Sequence, residues 1–271
     1  MMNGKPLSIA NTTSLLSRRI IDKRSAKPIQ IMTHQILGYP DFKTNYEMIR
    51  LFAESGVDLV ELQLPFSEPI ADGPVFLRAN QVSLENGTTT QQCMDFAKQV
   101  TKEFPELNFV FMTYYNVVVQ YGIDRFISTC AENQIQGLII PDAYPEESRE
   151  FMEACAKYGV DPILLATPYT TKKRLDYLSE QTGGFLYCAA RKGVTGSRTA
   201  FDQSTDEFLG RVREVAKIPV AVGFGIQSSE DVNFLQGKCD IAIIGTQLLN
   251  VLEQEGLSGV ERVLKSLPTL K

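Results

Sequence analysis

Leu59-Val60-Glu61-Leu62-Gln63-Leu64-Pro65-Phe66-Ser67-Glu68-Pro69-Ile70-Ala71-Asp72-Gly73-Pro74 opens as an apolar strand interrupted by one acid, then breaks into a proline-punctuated loop carrying two more. Strand alternation puts Leu59, Glu61 and Gln63 on one face and Val60, Leu62 and Leu64 on the other. A carboxylate inside an apolar strand is expensive to bury ionised. A buried Glu61 would therefore carry a perturbed pKa, as a group exchanging protons near neutrality requires. The alternative is that Glu61 lies on an exposed strand face.

Working outward, strand-like runs occur at 29–36, 57–63, 108–114, 137–141, 161–166, 184–190, 220–223 and 241–245. Helical patterns follow at 91–102, 123–133, 145–158, 172–181, 206–216 and 229–236, with further helical segments to Leu267. Asp41 is placed to cap the helix after the first strand, where Met48, Leu51 and Phe52 recur at helical spacing. After the second strand a longer excursion runs through 80–86 before its helix. Eight strand-then-helix units predict parallel strands with right-handed crossovers: an α/β protein, a (β/α)8 TIM barrel formed by residues 1–271 as a single domain. An extra N-terminal helix over 11–23 precedes it, with Leu15, Leu16, Ile20 and Ile21 on one stripe. A doubly wound open sheet competes, weakened by the lack of a G-x-G-x-x-G turn after the first strand. In a barrel the active site lies at the C-terminal ends of the strands, which puts Glu61, Glu68 and Asp72 at its mouth.

Hydrophobic content of 44% and charged content of 22% are ordinary for a globular chain. A net charge of -5 argues against nucleic-acid binding. The cluster Arg18, Arg19, Lys23, Arg24 and Lys27 reads as the solvated face of the first helix. Cys93, Cys130, Cys155, Cys188 and Cys239 form no C-x-x-C pair, so neither metal nor disulfides are expected and a reducing compartment fits. No apolar stretch is long enough to cross a membrane and no signal-peptide core is present; a cytoplasmic location is expected. His34 is the only histidine, which leaves serine-type triads and multi-histidine metal sites without support.

Glycines fall where a phosphate site would need them: Gly193-Val194-Thr195-Gly196 after the sixth strand, Gly223-Phe224-Gly225 after the seventh and Gly245-Thr246 after the eighth. Glycine lets backbone N–H groups approach an anion, and helices beginning near Ser228 and Gln247 would add their N-terminal dipoles. Each pair alone is more often a tight turn. Tyr114, Tyr115 and Tyr187 near strand ends are packing residues or the walls of a planar-ligand pocket.

The run from Glu61 to Pro74 resembles the signature of the tryptophan synthase alpha chain family. So do Leu37-Gly38-Tyr39-Pro40, Tyr114 with Asn116, Pro141-Asp142, the Arg191-to-Gly196 loop, Gly223-Phe224-Gly225 and Gly245-Thr246, in order along the chain. The resemblance implies a retro-aldol lyase that cleaves indole-3-glycerol phosphate to indole and glyceraldehyde 3-phosphate. Glu61 would be the general acid/base and Asp72 the anion at the indole N–H. Gly196, Gly223, Gly225, Gly245 and Thr246 would hold phosphate with Tyr187 beside them, and a lid over 191–198 would bring Thr195 onto Asp72. Met112, Tyr114, Ile139, Leu165, Phe224 and Ile244 would line the indole pocket. No metal or cofactor is implied in this chain. The expected partner is a pyridoxal-phosphate beta chain in an alpha2-beta2 heterotetramer.

Four positions depart from the family pattern: Gln63 where glycine is usual, His34 where an apolar aromatic is common, Glu68 for the more frequent Asp in the partner-facing loop, and Pro141 where a small residue is common; the first two would place polar side chains in the ring pocket. Polar groups in a ring pocket cost roughly 1–3 kcal/mol each if unsatisfied. Either they find partners or the substrate differs. A stand-alone lyase with a modified substrate, and a catalytically weak barrel that activates a beta chain, are the alternatives.

Overall fold

The computed structural model of the chain describes residues 14–189, 203–223, 225–268 and 270. In chain order the elements are α1 (Leu15–Lys23), β1 (Gln30–Ile36), α2 (Phe42–Ser55), β2 (Leu59–Gln63), α3 (Pro74–Glu85), α4 (Thr90–Glu103) and β3 (Asn108–Met112). Next come α5 (Tyr115–Tyr121), α6 (Ile123–Glu132), β4 (Gly137–Ile139), α7 (Arg149–Tyr158), β5 (Asp161–Ile163), β6 (Leu165–Ala166) and α8 (Lys172–Gln181). The last third holds β7 (Leu186–Ala189), α9 (Gln203–Val215), β8 (Val220–Gly223), α10 (Ser229–Leu235), β9 (Ile241–Ile244) and α11 (Thr246–Ser266).

All pairings among these strands are parallel, in the order β5-β4-β3-β2-β1-β9-β8-β7-β6. The two ends of that order are adjacent in the chain. β5 and β6 are halves of the fifth barrel strand, interrupted at Leu164, whose N–H goes to the Thr182 hydroxyl at 3.0 Å and whose carbonyl accepts from Tyr187 N–H at 3.0 Å. The strand leaves β4 and joins β7 at that residue, and the ring closes there. The (β/α)8 barrel expected from the alternation is the fold observed.

Local chemistry accounts for several boundaries. Asp41 caps α2, its carboxylate accepting from Thr44 N–H at 2.7 Å, and Gly56 ends that helix in the left-handed region (φ 79°). The excursion expected over 80–86 is instead the second half of α3 and its C-cap. Gly73 stands at its N-cap and Pro74 at its first position, where a missing N–H costs nothing. The short α5 was not expected, and α7 starts at Arg149 rather than at Pro145.

Inside the barrel sit Met32, Leu59, Val110, Met112, Ile139, Ile163, Phe185, Tyr187, Ala221, Ile241 and Ile243; a larger apolar layer lies between strands and helices. Helix α1 closes the end where the strands begin, sending Leu16 and Ile20 into the interior cluster. The Ser17 hydroxyl donates to Gly184 C=O at 2.6 Å, and Gln30 Nε2 donates to Ile20 C=O at 2.7 Å. The basic cluster of this region is more than a solvated face. Arg19 donates to Asn108 at 3.1 Å, Arg24 pairs with Asp240 at 2.7 Å, and Lys23 (3.2 Å) and Lys27 pair with the buried Asp58, so the cluster staples α1 and its exit to the starts of the strands.

Candidate active site

At the opposite end, the inward face of β2 delivers Glu61 and Gln63 to the mouth. The β1–β2 register sets His34 opposite Glu61 and Ile36 opposite Gln63. Glu61 is buried, so the exposed-face alternative falls. Its Oε1 lies 3.6 Å from His34 Nε2, too far for a hydrogen bond, and its Oε2 has no hydrogen-bond partner among the described residues. Burial, and then the Asp72 charge, push the Glu61 pKa well above the usual carboxylate range.

Asp72 ends the loop that follows. Its Oδ2 accepts from Gln63 Nε2 at 2.7 Å and from Asn80 Nδ2 at 3.4 Å. Burial raises its pKa to about 6, against the hydrogen bonds from Gln63, Asn80 and Tyr114, which favour the anion. Two carboxyls thus share the mouth in different surroundings: burial favours the protonated form of Glu61, whereas Asp72, at about 6 and held by amide donors, is mainly ionised at neutral pH.

The loop is held from three sides. Tyr114, at the end of β3, accepts from Ala71 N–H at 3.0 Å through its hydroxyl and stacks on Phe66 with centroids 5.1 Å apart. Asn80 on α3 accepts from Phe66 N–H at 3.0 Å and donates to Phe76 C=O at 2.9 Å. Phe76 stacks on His34, centroids 4.4 Å apart. Asn80, Phe66 and Phe76 are site residues that the sequence reading did not single out. The available signal was Gly73-Pro74 as a helix start, which would have placed Asn80 on the first turns above Asp72.

His34 and Gln63 find each other. His34 Nε2 is 2.8 Å from Gln63 Oε1, while the Gln63 amide nitrogen is spent on Asp72. The penalty expected for two polar side chains in a ring pocket is not incurred, because each is satisfied. Burial lowers the His34 pKa to about 3, so the ring is neutral.

Met112, Tyr114, Ile139 and Tyr187 belong to the interior cluster and Leu165 packs against it. Ile244 does not: it lies in the layer between strands and helices, because alternation along β9 turns its neighbours Ile243 and Gly245 inward. Gly223 lies against Tyr187, and Gly245 lies against His34 and Phe76. Gly225 adopts φ 91°, a conformation open to glycine. Thr195, Gly196 and Phe224 lie outside the described residues, as does the expected lid.

Of the two helix N-termini expected to serve an anion, α11 alone is open. It begins at Thr246 behind Gly245, with no side-chain cap. That of α10 is already occupied: Asp231 Oδ2 accepts from Gln227 N–H at 2.8 Å and Ser228 N–H at 3.0 Å, and its acids lie in the first turn. A second anion there would meet a carboxylate.

The family model of the tryptophan synthase alpha chain matches residues 21–269. The tryptophan synthase alpha chains of Desulforapulum autotrophicum and Syntrophotalea carbinolica are each 44% identical to this chain over 253 residues, which is 93% of it and 100% of each relative. Tryptophan synthase of Mycobacterium tuberculosis contains a chain similar to this one at a TM-score of 0.88 and 31% identity, covering 94% of this chain and 97% of that one. A chain of the tryptophan synthase a2b2 complex of Pyrococcus furiosus gives 0.82 at 25% identity, covering 89% and 98%. The chain, with its buried acid and neighbouring carboxyl at the barrel mouth, belongs to the tryptophan synthase alpha chain family, the lyases that cleave indole-3-glycerol phosphate.

Proposed function

We propose that Glu61 and Asp72 carry the cleavage, with Glu61 as the proton carrier and Asp72 as the anion for the ring nitrogen. The observation that carries this is the Glu61 Oε2 atom, buried and without a partner among the described residues, while the neighbouring Asp72 has its Oδ2 held by two amide donors. The protonated Glu61 carboxyl gives its proton to indole C3. The ring C2=C3 electrons form the new C–H bond, leaving the nitrogen as an iminium whose N–H donates to Asp72. The carboxylate formed on Glu61 then takes the proton of the hydroxyl on the carbon attached to C3. That C–O becomes C=O, the C–C electrons return to the ring, and indole and glyceraldehyde 3-phosphate separate. One side chain serves both proton transfers, and its raised pKa suits the first.

The phosphate goes to the α11 side of the mouth, where the helix begins at Thr246 behind Gly245 with no side-chain cap; Gly223 and Gly225 are assigned to it from the family pattern. Met112, Tyr114, Ile139 and Leu165 flank the ring; Thr195, Gly196 and Phe224 are assigned from the family pattern. A pyridoxal-phosphate beta chain is the proposed partner, supported by the a2b2 assembly of the Pyrococcus furiosus relative. Ile70, Tyr144 and Tyr169, on loops after β2, β4 and β6, are exposed around the mouth and suit such a contact. A cytoplasmic location accords with five free, buried cysteines; among the described residues no helix is long and apolar enough to cross a membrane.

The test is indole release from indole-3-glycerol phosphate by the purified chain, alone and with a beta chain added. Glu61→Gln and Asp72→Asn are each expected to cut turnover by about two orders of magnitude or more while the folded state persists. An active Asp72→Asn enzyme would sink the assignment. Activation of a beta chain with no cleavage by the chain itself would favour the activator role instead.

A further inference from the structure

We infer that His34 and Gln63 form a positioning relay that holds the Asp72 carboxylate as an oriented hydrogen-bond acceptor facing the site of the ring nitrogen. The inference rests on the role proposed above for Asp72.

The relay is read from one end to the other. His34 is neutral and has a single N–H. Its Nε2 faces Gln63 Oε1 at 2.8 Å, so the pair assigns the proton to Nε2 and the oxygen end of the amide to histidine. The nitrogen end then points at Asp72 Oδ2, at 2.7 Å. Reversing the amide would set its NH2 against the imidazole N–H and its oxygen against a carboxylate, losing both bonds and adding two repulsions. The histidine cannot turn away to permit this. Phe76 stacks on its ring at 4.4 Å, and Gly245 lies so close behind it that a Cβ there would be 3.1 Å from His34 Cβ and 3.1 Å from Phe76 Cζ.

Asp72 needs such a support because it sits on a loop. The titratable groups around it among the described residues are Glu61 from β2, Tyr114 from the end of β3 and Tyr187 from β7, with His34 from β1 reaching it only through Gln63. Among these only His34 could be a cation, and burial keeps it neutral. Amide and hydroxyl donors therefore stabilise the Asp72 anion. The Gln63 bond is short and charge-assisted, while the Asn80 contact to the same oxygen is 3.4 Å long.

The experiment uses the full-length chain with Gln63→Leu, His34→Phe and the double variant. Two readouts are taken: the pH dependence of kcat/KM for indole-3-glycerol phosphate, and a carboxyl-13C NMR titration of Asp72. Loss of a hydrogen bond to a charged group is expected to move the Asp72 titration in Gln63→Leu up by about one pH unit or more. The acid limb of kcat/KM should move with it, and kcat should fall more than KM rises. His34→Phe moves both part of the way, since the amide loses its anchor but not its donor. The double variant matches Gln63→Leu, because a relay broken at its second member gains no further loss from its first. Gln63→Met, of similar length and without a donor, replaces leucine if leucine disturbs folding. An unmoved Asp72 titration in the Gln63 variants, or additive effects of the two single changes, overturns the relay. An active Asp72→Asn enzyme would instead remove the catalytic role, while the NMR titration would still report the relay.

Discussion

A Cβ placed on Gly223 would stand 2.5 Å from the hydroxyl oxygen of Tyr187 and 2.9 Å from its Cζ, so the last residue of β8 is the seat against which the β7 tyrosine lies. Tyr187 is buried and belongs to the cluster inside the barrel. Gly223→Ala must push the ring into the mouth. We expect KM for indole-3-glycerol phosphate to rise about tenfold or more, with a stability loss of about 1–3 kcal/mol from overpacking. Steady-state kinetics beside a urea titration checks this; unchanged KM would show that the ring can move elsewhere.

Asn80 ties α3 to the acidic loop through Phe66 N–H and reaches Asp72 as well. Asn80→Ala leaves the Phe66 N–H without its acceptor in a half-buried setting and frees the loop. The expected cost is about 1–3 kcal/mol in stability. A drop in kcat of about tenfold should accompany it, since Asp72 then depends on Gln63 and Tyr114 alone. Parallel measurement of melting and turnover separates the two effects, and full turnover in a destabilised variant would show that the loop does not need this tie.

Asp161 opens β5 at the closed end of the barrel, far from the chemistry. Burial raises its pKa to about 6, opposed by a hydrogen bond from the Ser14 hydroxyl that caps α1. The folded chain holds this proton more tightly than the unfolded chain, whose carboxyl has the ordinary value near 3.8. Stability contributed by the protonated form is therefore present below about pH 4 and is lost as pH rises to about 6, beyond which it is level. Asp161→Asn has no charge to bury. Its stability relative to the parent should climb through that window by an amount of the order of 2 kcal/mol, measured by urea midpoints at pH 4, 5, 6 and 7. A constant difference across the series would mean that the carboxyl is not desolvated in solution.

The barrel was legible because eight apolar runs of strand length alternate with helical patterns, and each run proved to be a strand at about its expected place. The inward turn of Glu61 was legible too, since alternation alone puts Glu61 and Gln63 on one face. Alternation also gave the means to see that Ile244 faces the helices. Its neighbours Ile243 and Gly245 face the interior. The structure of the loop was not legible. What holds Asp72 comes from α3, read as an excursion because its apolar residues are broken by Arg78, Asn80 and Gln81. The pairing of His34 with Gln63 depends on strand register, a long-range relation that no single stretch displays. The capping of α10 by Asp231 was visible in Ser228 and Asp231 three residues apart, and argued against an anion there.

Helix α1 seals the barrel where its strands begin, with Leu16 and Ile20 as the stopper. Substrate and both products must then share one doorway, the rim that carries Ile70, Tyr144 and Tyr169. Whatever rests across that doorway decides whether the small apolar product reaches water or another protein, without altering a single contact at the reacting carbon.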